Sequence, residues 1–246
     1  MITTDLNYIP LAKAMPEYSK RDGKPYVCTL GYDTNKGFIR VYPAPFNGIF
    51  PWVPIRFKAE KNKRDPRPAS WKMPEDCRHA EWSVRSDKVA YGSPLNESAK
   101  MTIVRSMMNN VSSAISELNQ ARASIGFVIV NWYRIHDVPN KNYINTEQLN
   151  MFDLDVCLPG YAKFTKESRK KVFYVNFIDK DGPHTLSLNR WDIYETERKV
   201  GPVEAMRRFQ KKGPHILMLG NYLQHQTSWS VLGIWSIPQQ LSMFDA

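Results

Sequence analysis

The stretch PYVCTLGYD (residues 25–33), TNKG (34–37) and FIRVYPAP (38–45) decides the fold class. Aromatic and β-branched residues dominate both flanks, and a short polar segment ending in glycine joins them, the pattern of two strands and a hairpin turn. Phe38 and Val41 alternate imperfectly with Arg40 and Tyr42, so a bulge or a strand buried on both sides is expected there. Working outward, PWVPIRFKAE (51–60) supplies a third strand and residues 82–91 a further candidate. The first β-rich unit is expected to end near residue 92.

Beyond Pro94 the pattern changes period. Asn96 can cap a helix over ESAKMTIVRSMMNNVSSAISELNQARA, with Glu97 in its first turn and Arg122 in its last. Ile103, Met107, Val111, Ile115 and Leu118 recur at three- and four-residue steps, which makes them a core-facing stripe. A second β-rich unit opens at SIGFVIVNWYRI (124–135), an apolar run that reads as one central strand. VFYVNFIDKDGPHTLSL (172–188) gives a strand, an Asp-Gly turn and a returning strand. NRWDIYETERK is helical, Gly201-Pro202 restarts a helix that Gly213 stops, and HILMLGNY and SWSVLGIWSI finish the unit. The fold class expected is α+β, mainly β. Residues 1–92 form the first β unit, 93–123 a long connecting helix, 124–238 the second β unit with a C-terminal helix before its last strands, and 239–246 a flexible tail.

Composition narrows the function classes. An apolar content of 42% suffices for packed cores. No apolar run approaches the roughly 20 residues of a membrane span, and MITTDLNYIPLAKAM lacks the features of a secretory signal, so no membrane association and a cytoplasmic location are expected. Cys28, Cys77 and Cys157 are odd in number and far apart, which argues against disulfides and structural zinc; Cys77 with His79 is too small a set for a metal. No cofactor is expected. The formal net charge of +10 points to nucleic acid, with a solvated basic surface as the alternative.

The cations cluster. Arg56, Lys58, Lys61, Lys63, Arg64, Arg67 and Lys72 face only Glu60 and Asp65 in the same segment, and Trp71 is interleaved, so the segment can neutralise phosphates and stack bases. Lys163, Lys166, Arg169, Lys170 and Lys171 form a second cluster. Arg207, Arg208, Lys211 and Lys212 read instead as the ordinary charged face of a short helix.

One short string recurs. QLNMFD occupies residues 148–153 and QLSMFD residues 240–245; two such copies by accident are expected in on the order of 1 in 10,000 chains of this length. The string resembles the peptide by which bacterial replication and repair proteins dock on the DNA polymerase sliding clamp, usually Gln-Leu-(Ser/Asp)-Leu-Phe. Met151 and Met243 stand where that peptide has Leu, a substitution an apolar pocket tolerates, and Asn150 stands where it has Ser or Asp. The resemblance implies that Leu241, Met243 and Phe244 enter an apolar cleft while Gln240 hydrogen-bonds at its entrance. Gln148, Leu149, Met151 and Phe152 would do the same, or would pack into the second unit. Two copies on one chain would raise avidity for a symmetric ring.

Three further stretches, GFIRVYPAPF from Gly37, WVPIRFKAEKNKRDPRPASWK from Trp52 and HILMLGNYLQHQTSWSVLGIWSIP from His215, resemble a family of bacterial dual OB-fold proteins associated with genome-conflict and mobile-element loci. That resemblance implies two OB-like small β-barrels joined by the helix, binding of single-stranded or duplex nucleic acid, and no catalytic residues. A role in genome defence or mobile-element maintenance follows from the resemblance alone.

Two other classes stay open. A clamp inhibitor would occupy both clefts of the ring without touching DNA. A metal-dependent nuclease would draw on Asp192, Glu197 and Lys199, although these fall in an expected helix rather than on paired strands. No phosphate loop, dinucleotide fingerprint or nucleophile elbow occurs, and the five histidines lack metal-ligand spacing, so a non-enzyme is expected.

Overall fold

The computed structural model describes residues 2–18, 25–61, 65–77, 88–143 and 169–237. The first sheet contains β1 (Thr3–Lys13), β2 (Glu17–Tyr18), β3 (Pro25–Asp33), β4 (Gly37–Pro45), β5 (Ile55–Lys61), β6 (Ser70–Lys72) and β7 (Val89–Tyr91). Its strand order β1-β3-β4-β6-β5 closes on itself because β1 is shared between two neighbours. Residues 3–8 of β1 pair with β5, and residues 8–13 pair with β3 across an irregularity between Pro10 and Ala12. Tyr8 sits at the handover, fully buried, and its hydroxyl donates to Thr29 Oγ1 at 2.9 Å. Gly31 is required beside it: a Cβ there would lie 2.4 Å from both the Ile9 carbonyl and the Tyr8 ring. All ladders of the ring are antiparallel except β4 with β6.

The second sheet follows the same course. β9 (Ile125–Val130) and β10 (Tyr133–Pro139) are two halves of one path, broken at Asn131 and Trp132. The first half pairs with β13 (His215–Asn221) and the second with β11 (Lys171–Asp179). β12 (Gly182–Leu188) returns from β11 through a two-residue turn and runs parallel to β14 (Trp229–Ser236), which is antiparallel to β13. The molecule is therefore mainly β with a closed five-stranded barrel, compatible with the OB-like units expected. The expected single strand over 124–135 is in fact two, because Asn131 has low strand propensity and the chain must leave one neighbour and join another there.

The long connecting helix does not form. α1 (Glu97–Met108) starts where expected, with Asn96 Oδ1 accepting from the Ala99 amide at 2.9 Å, but ends at Asn109. Asn110 caps it by donating from Nδ2 to the Ser106 carbonyl at 2.8 Å. β8 (Val111–Ser112) then pairs parallel with β9, and only afterwards does α2 (Ile115–Gln120) begin. Two successive asparagines compete with helix geometry, and a β-branched residue beside an open strand edge gains more from the sheet. The apolar stripe is thus divided among α1, β8 and α2. α2 is capped by the β11–β12 turn: Asp179 and Asp181 accept from the Ile115 and Ser116 amides, each at 2.9 Å. Between β12 and β13 lie α3 (Trp191–Val200) and α4 (Pro202–Phe209), separated at Gly201 (φ 84°) with Pro202 at the first helical turn, as the sequence indicated.

Each sheet curls around its own apolar core. A third cluster fills the seam between them: Ile9, Leu11 and Leu30 of the first barrel meet Ile103, Met107, Phe127, Ile216, Met218 and Leu232. Phe38 meets Phe127 edge-to-face at 4.5 Å. Polar contacts pin one end of this seam. Arg40 donates to the Asn221 carbonyl at 2.8 Å and the Ser124 carbonyl at 3.0 Å, and Arg67 donates to the Asn221 carbonyl and side chain. Among the described residues no helix is long and apolar enough to cross a membrane.

Candidate nucleic-acid interface

The first basic segment is divided by burial. β5 alternates, so Phe57 and Ala59 point into the barrel while Arg56 and Lys58 are exposed. They line an open cleft of about 620 Å³ that also holds Asp5, Glu60 and Lys88, and Arg56 Nε donates to Asn7 Oδ1 at 2.9 Å. Lys72 is paired with Glu60 at 2.6 Å. Arg67 and Trp71 depart from an exposed phosphate-and-base surface. Arg67 is 7% exposed, held by Asp65 in a bidentate ion pair and spent on the seam. Trp71 is 6% exposed, with the Lys36 and Lys61 ammonium groups 5.0 and 4.2 Å from its ring centre. Burial, aided by Lys36, lowers the Lys61 pKa from its ordinary value. Lys63 and Arg64 lie outside the described residues.

In the second cluster, Arg169 is likewise buried and faces Glu197 at 3.5 Å, Lys171 is paired with Asp137, and Lys170 is exposed. Lys163 and Lys166 lie outside the described residues, as do Gln148, Leu149, Met151 and Phe152 of one docking string and Gln240, Leu241, Met243 and Phe244 of the other. The residues weighed for a nuclease have separate partners: Asp192 pairs with Arg190, Glu197 with Arg169, and Lys199 with Glu195. Asp179, Asp181 and His184 lie close enough to hold a metal ion, but Asp179 and Asp181 already cap α2 and Asp179 also bonds His184 at 2.7 Å.

What the fold does bring together is an aromatic and basic surface at the break between β9 and β10. Trp132 is 56% exposed, far above the usual state of a tryptophan in a packed unit. It lines an open cleft of about 710 Å³ with Arg134, Arg207, Lys211 and Lys212, and no carboxylate lines that cleft among the described residues. The geometry is set by α4 and the turn after it. The Gln210 side chain takes the place of a neighbouring strand: Oε1 accepts from the Ile135 amide at 2.8 Å and Nε2 donates to the Tyr133 carbonyl. The buried Tyr133 hydroxyl donates to the Phe209 carbonyl at 2.5 Å and accepts from the Lys211 amide at 3.0 Å. Burial raises the Tyr133 pKa above its ordinary value, so the phenol keeps its donor. Glu204, held down to about 2 by Arg207 and Arg208, accepts from both and so fixes the Arg207 guanidinium at the rim.

Arg134 also belongs to the outer face of β10, β11 and β12. Register places Arg134, Asn176 and Thr185 in one cross-strand row and His136, Tyr174 and Ser187 in the next. Thr185 donates to Asn176 at 2.9 Å, the His136 and Tyr174 rings stack at 5.8 Å, and Ser187 lies 3.3 Å from the Tyr222 hydroxyl. The sequence carried one signal for this site, the polar Asn131 inside an apolar run next to a tryptophan; read as a continuous strand, it hid Trp132 and Arg134.

Residues 7–110 match the family model described as a domain of unknown function (DUF8758). The DUF8758 match begins within β1 and ends just after α1, so it takes in the first barrel and the helix on the seam. The Trp132 surface lies outside it. No curated protein matches the chain.

Proposed function

We propose that this chain is a nucleic-acid-binding protein of two OB-like barrels that docks on the bacterial DNA polymerase sliding clamp. The observation that carries the nucleic-acid reading is Trp132, exposed in a cleft rimmed by Arg134, Arg207, Lys211 and Lys212. A tryptophan face stacks on any base, and the surrounding cations meet a phosphate backbone, the combination by which single strands are held without sequence preference. The outer face of β10, β11 and β12 extends the surface with polar and aromatic groups, and strands 2 and 3 of an OB-like barrel are where oligonucleotides are bound in that architecture. The reading thus moves the centre of binding from the Arg56–Lys72 segment, where Arg67 and Trp71 are buried, to the second barrel. The clamp half of the proposal rests on the two QLxMF strings, and a role in defence or mobile-element maintenance on the family resemblance.

Titration of a labelled oligothymidylate at two salt concentrations tests the first half. Trp132→Ala should weaken binding about 5- to 150-fold, by the roughly 1–3 kcal/mol of a stacked base. Lys211→Ala with Lys212→Ala should flatten the salt dependence by about 0.7 in log–log slope per lost phosphate contact. An unchanged affinity in both would sink it. For the second half, immobilised clamp should retain the full chain and lose it on Leu241→Ala with Phe244→Ala; Leu149→Ala with Phe152→Ala separates the internal string. Retention by the clamp without any oligonucleotide affinity would favour the inhibitor instead.

A further inference from the structure

A second pocket lies in the seam, away from the Trp132 cleft. It encloses about 320 Å³ and is lined by Trp52, Trp191 and Trp235, with Leu11 and Leu232 behind them and Lys13, Arg190 and Asp192 as its charged groups. Three of the seven tryptophans of the chain converge there. Trp52 meets Trp235 edge-to-face at 5.1 Å, Trp191 meets Phe46 at 4.7 Å, and the Arg190 guanidinium lies 5.7 Å from the Trp235 ring centre. The volume is at the lower end of the range of about 300–1,000 Å³ typical of small-molecule sites.

Two features set this pocket apart from an ordinary packing gap. Trp52 has φ 66°, a conformation that costs a bulky residue on the order of 1–3 kcal/mol and that clusters at binding sites. Lys13 is held at the pocket with its ammonium donating to the Phe46 and Ile49 carbonyls at 3.2 and 3.3 Å and lying over the Phe46 ring at 4.5 Å. An ammonium has three donors; two go to these carbonyls, and the third has no oxygen or nitrogen acceptor among the described residues. Asp192 is fixed by Arg190 through two bonds of 2.5 and 2.6 Å, which leaves a lone pair on each oxygen. The pocket thus offers flat aromatic walls, one fixed donor and one fixed acceptor.

We propose that the seam pocket binds a heteroaromatic base, its ring among the tryptophans and its hydrogen-bonding edge met by the Lys13 N–H and an Asp192 oxygen. A nucleobase edge presents acceptor and donor side by side, whereas a purely apolar ligand would leave the largely enclosed Lys13 N–H unanswered, at a cost of about 1–3 kcal/mol. The base can come from a free nucleoside or from a nucleotide of a bound strand. In the first case the inference stands without the nucleic-acid reading of the Trp132 surface; in the second it rests on it.

Intrinsic tryptophan fluorescence and calorimetry of the full chain test this with adenosine, guanosine, cytidine and uridine, ribose serving as control, and with an oligonucleotide and its abasic counterpart. Saturable quenching by at least one nucleoside, weakened about tenfold by Trp52→Gly and shifted in base preference by Asp192→Asn, is the expected result for a free ligand. Glycine suits the backbone at this position, and a thermal melt of each variant separates lost binding from lost folding. Quenching by the oligonucleotide alone, lost in its abasic form and in Trp52→Gly, assigns the pocket to a strand. Trp132→Ala should leave nucleoside binding unchanged even where it abolishes oligonucleotide binding. Absence of any Trp52-dependent binding to either probe in a folded protein overturns the proposal.

Discussion

The two sheets share one strand order, yet their corresponding outer faces have opposite fates. On the first, Ile9, Leu30, Tyr32 and Phe38 make the outer face of β1, β3 and β4 apolar, and the second barrel covers it. On the second, Arg134, His136, Tyr174, Asn176 and Thr185 occupy the equivalent rows of β10, β11 and β12; Arg134 and Thr185 are exposed, the other three are half-buried, and among the described residues no apolar face covers these rows. Strand topology alone does not decide which face of a small barrel is a ligand surface. The chemistry of every second residue does, because apolar rows gain about 25 cal/mol per Å² when covered and polar rows gain nothing comparable.

Breaking the covered face has the largest expected effect. Phe127→Ala removes a ring that is 3% exposed and packed on Phe38, and should cost about 3–5 kcal/mol in urea denaturation. Tyr174→Ala on the open face should change stability by less than about 1 kcal/mol while weakening oligonucleotide binding. Equal costs at the two positions would abolish the distinction between the faces. A smaller effect is expected at the polar end of the seam. Arg40→Met keeps the aliphatic stem but leaves the Ser124 carbonyl without its guanidinium, for a loss of about 2–3 kcal/mol. Reversible separation of the barrels at intermediate urea, seen as two transitions, would sharpen the result.

The smallest effect concerns pH. Burial lowers the Lys13 pKa to about 8, with Asp192 opposing the shift. The unfolded chain, with an ordinary lysine pKa near 10.5, binds more protons than the folded one between these values, so stability rises with pH from about 8 to 10.5. Lys13→Met should flatten that part of the profile of melting temperature against pH. A profile unchanged by the substitution would show that Lys13 does not titrate there.

Much of the architecture was legible in short windows of sequence. The first hairpin, the Asn96 cap, the Gly201-Pro202 restart and the β11–β12 turn all depend on contacts within a few residues, which turn and capping chemistry reports directly. β1 is not legible in this way: Pro10 and the irregular pairing after it disguise a strand that serves two neighbours. The apolar stripe over 103–118 carries no sign of the β9 strand edge, which takes Val111 and Ser112 out of the helix. At the candidate interface, Arg56, Lys58 and Lys170 are exposed as a basic count suggests, whereas Arg67, Trp71 and Arg169 are enclosed by partners that no local pattern announces.

By itself, then, the sequence determined a mainly β chain, strongly basic, with two QLxMF strings. Tertiary structure decided which cations reach solvent, which barrel face is covered, and that Trp132 stands open in a basic cleft. The reason is range: Phe38 meets Phe127, and Arg40 reaches Asn221 across 181 positions of the chain, so burial of these groups is set by docking of one barrel on the other.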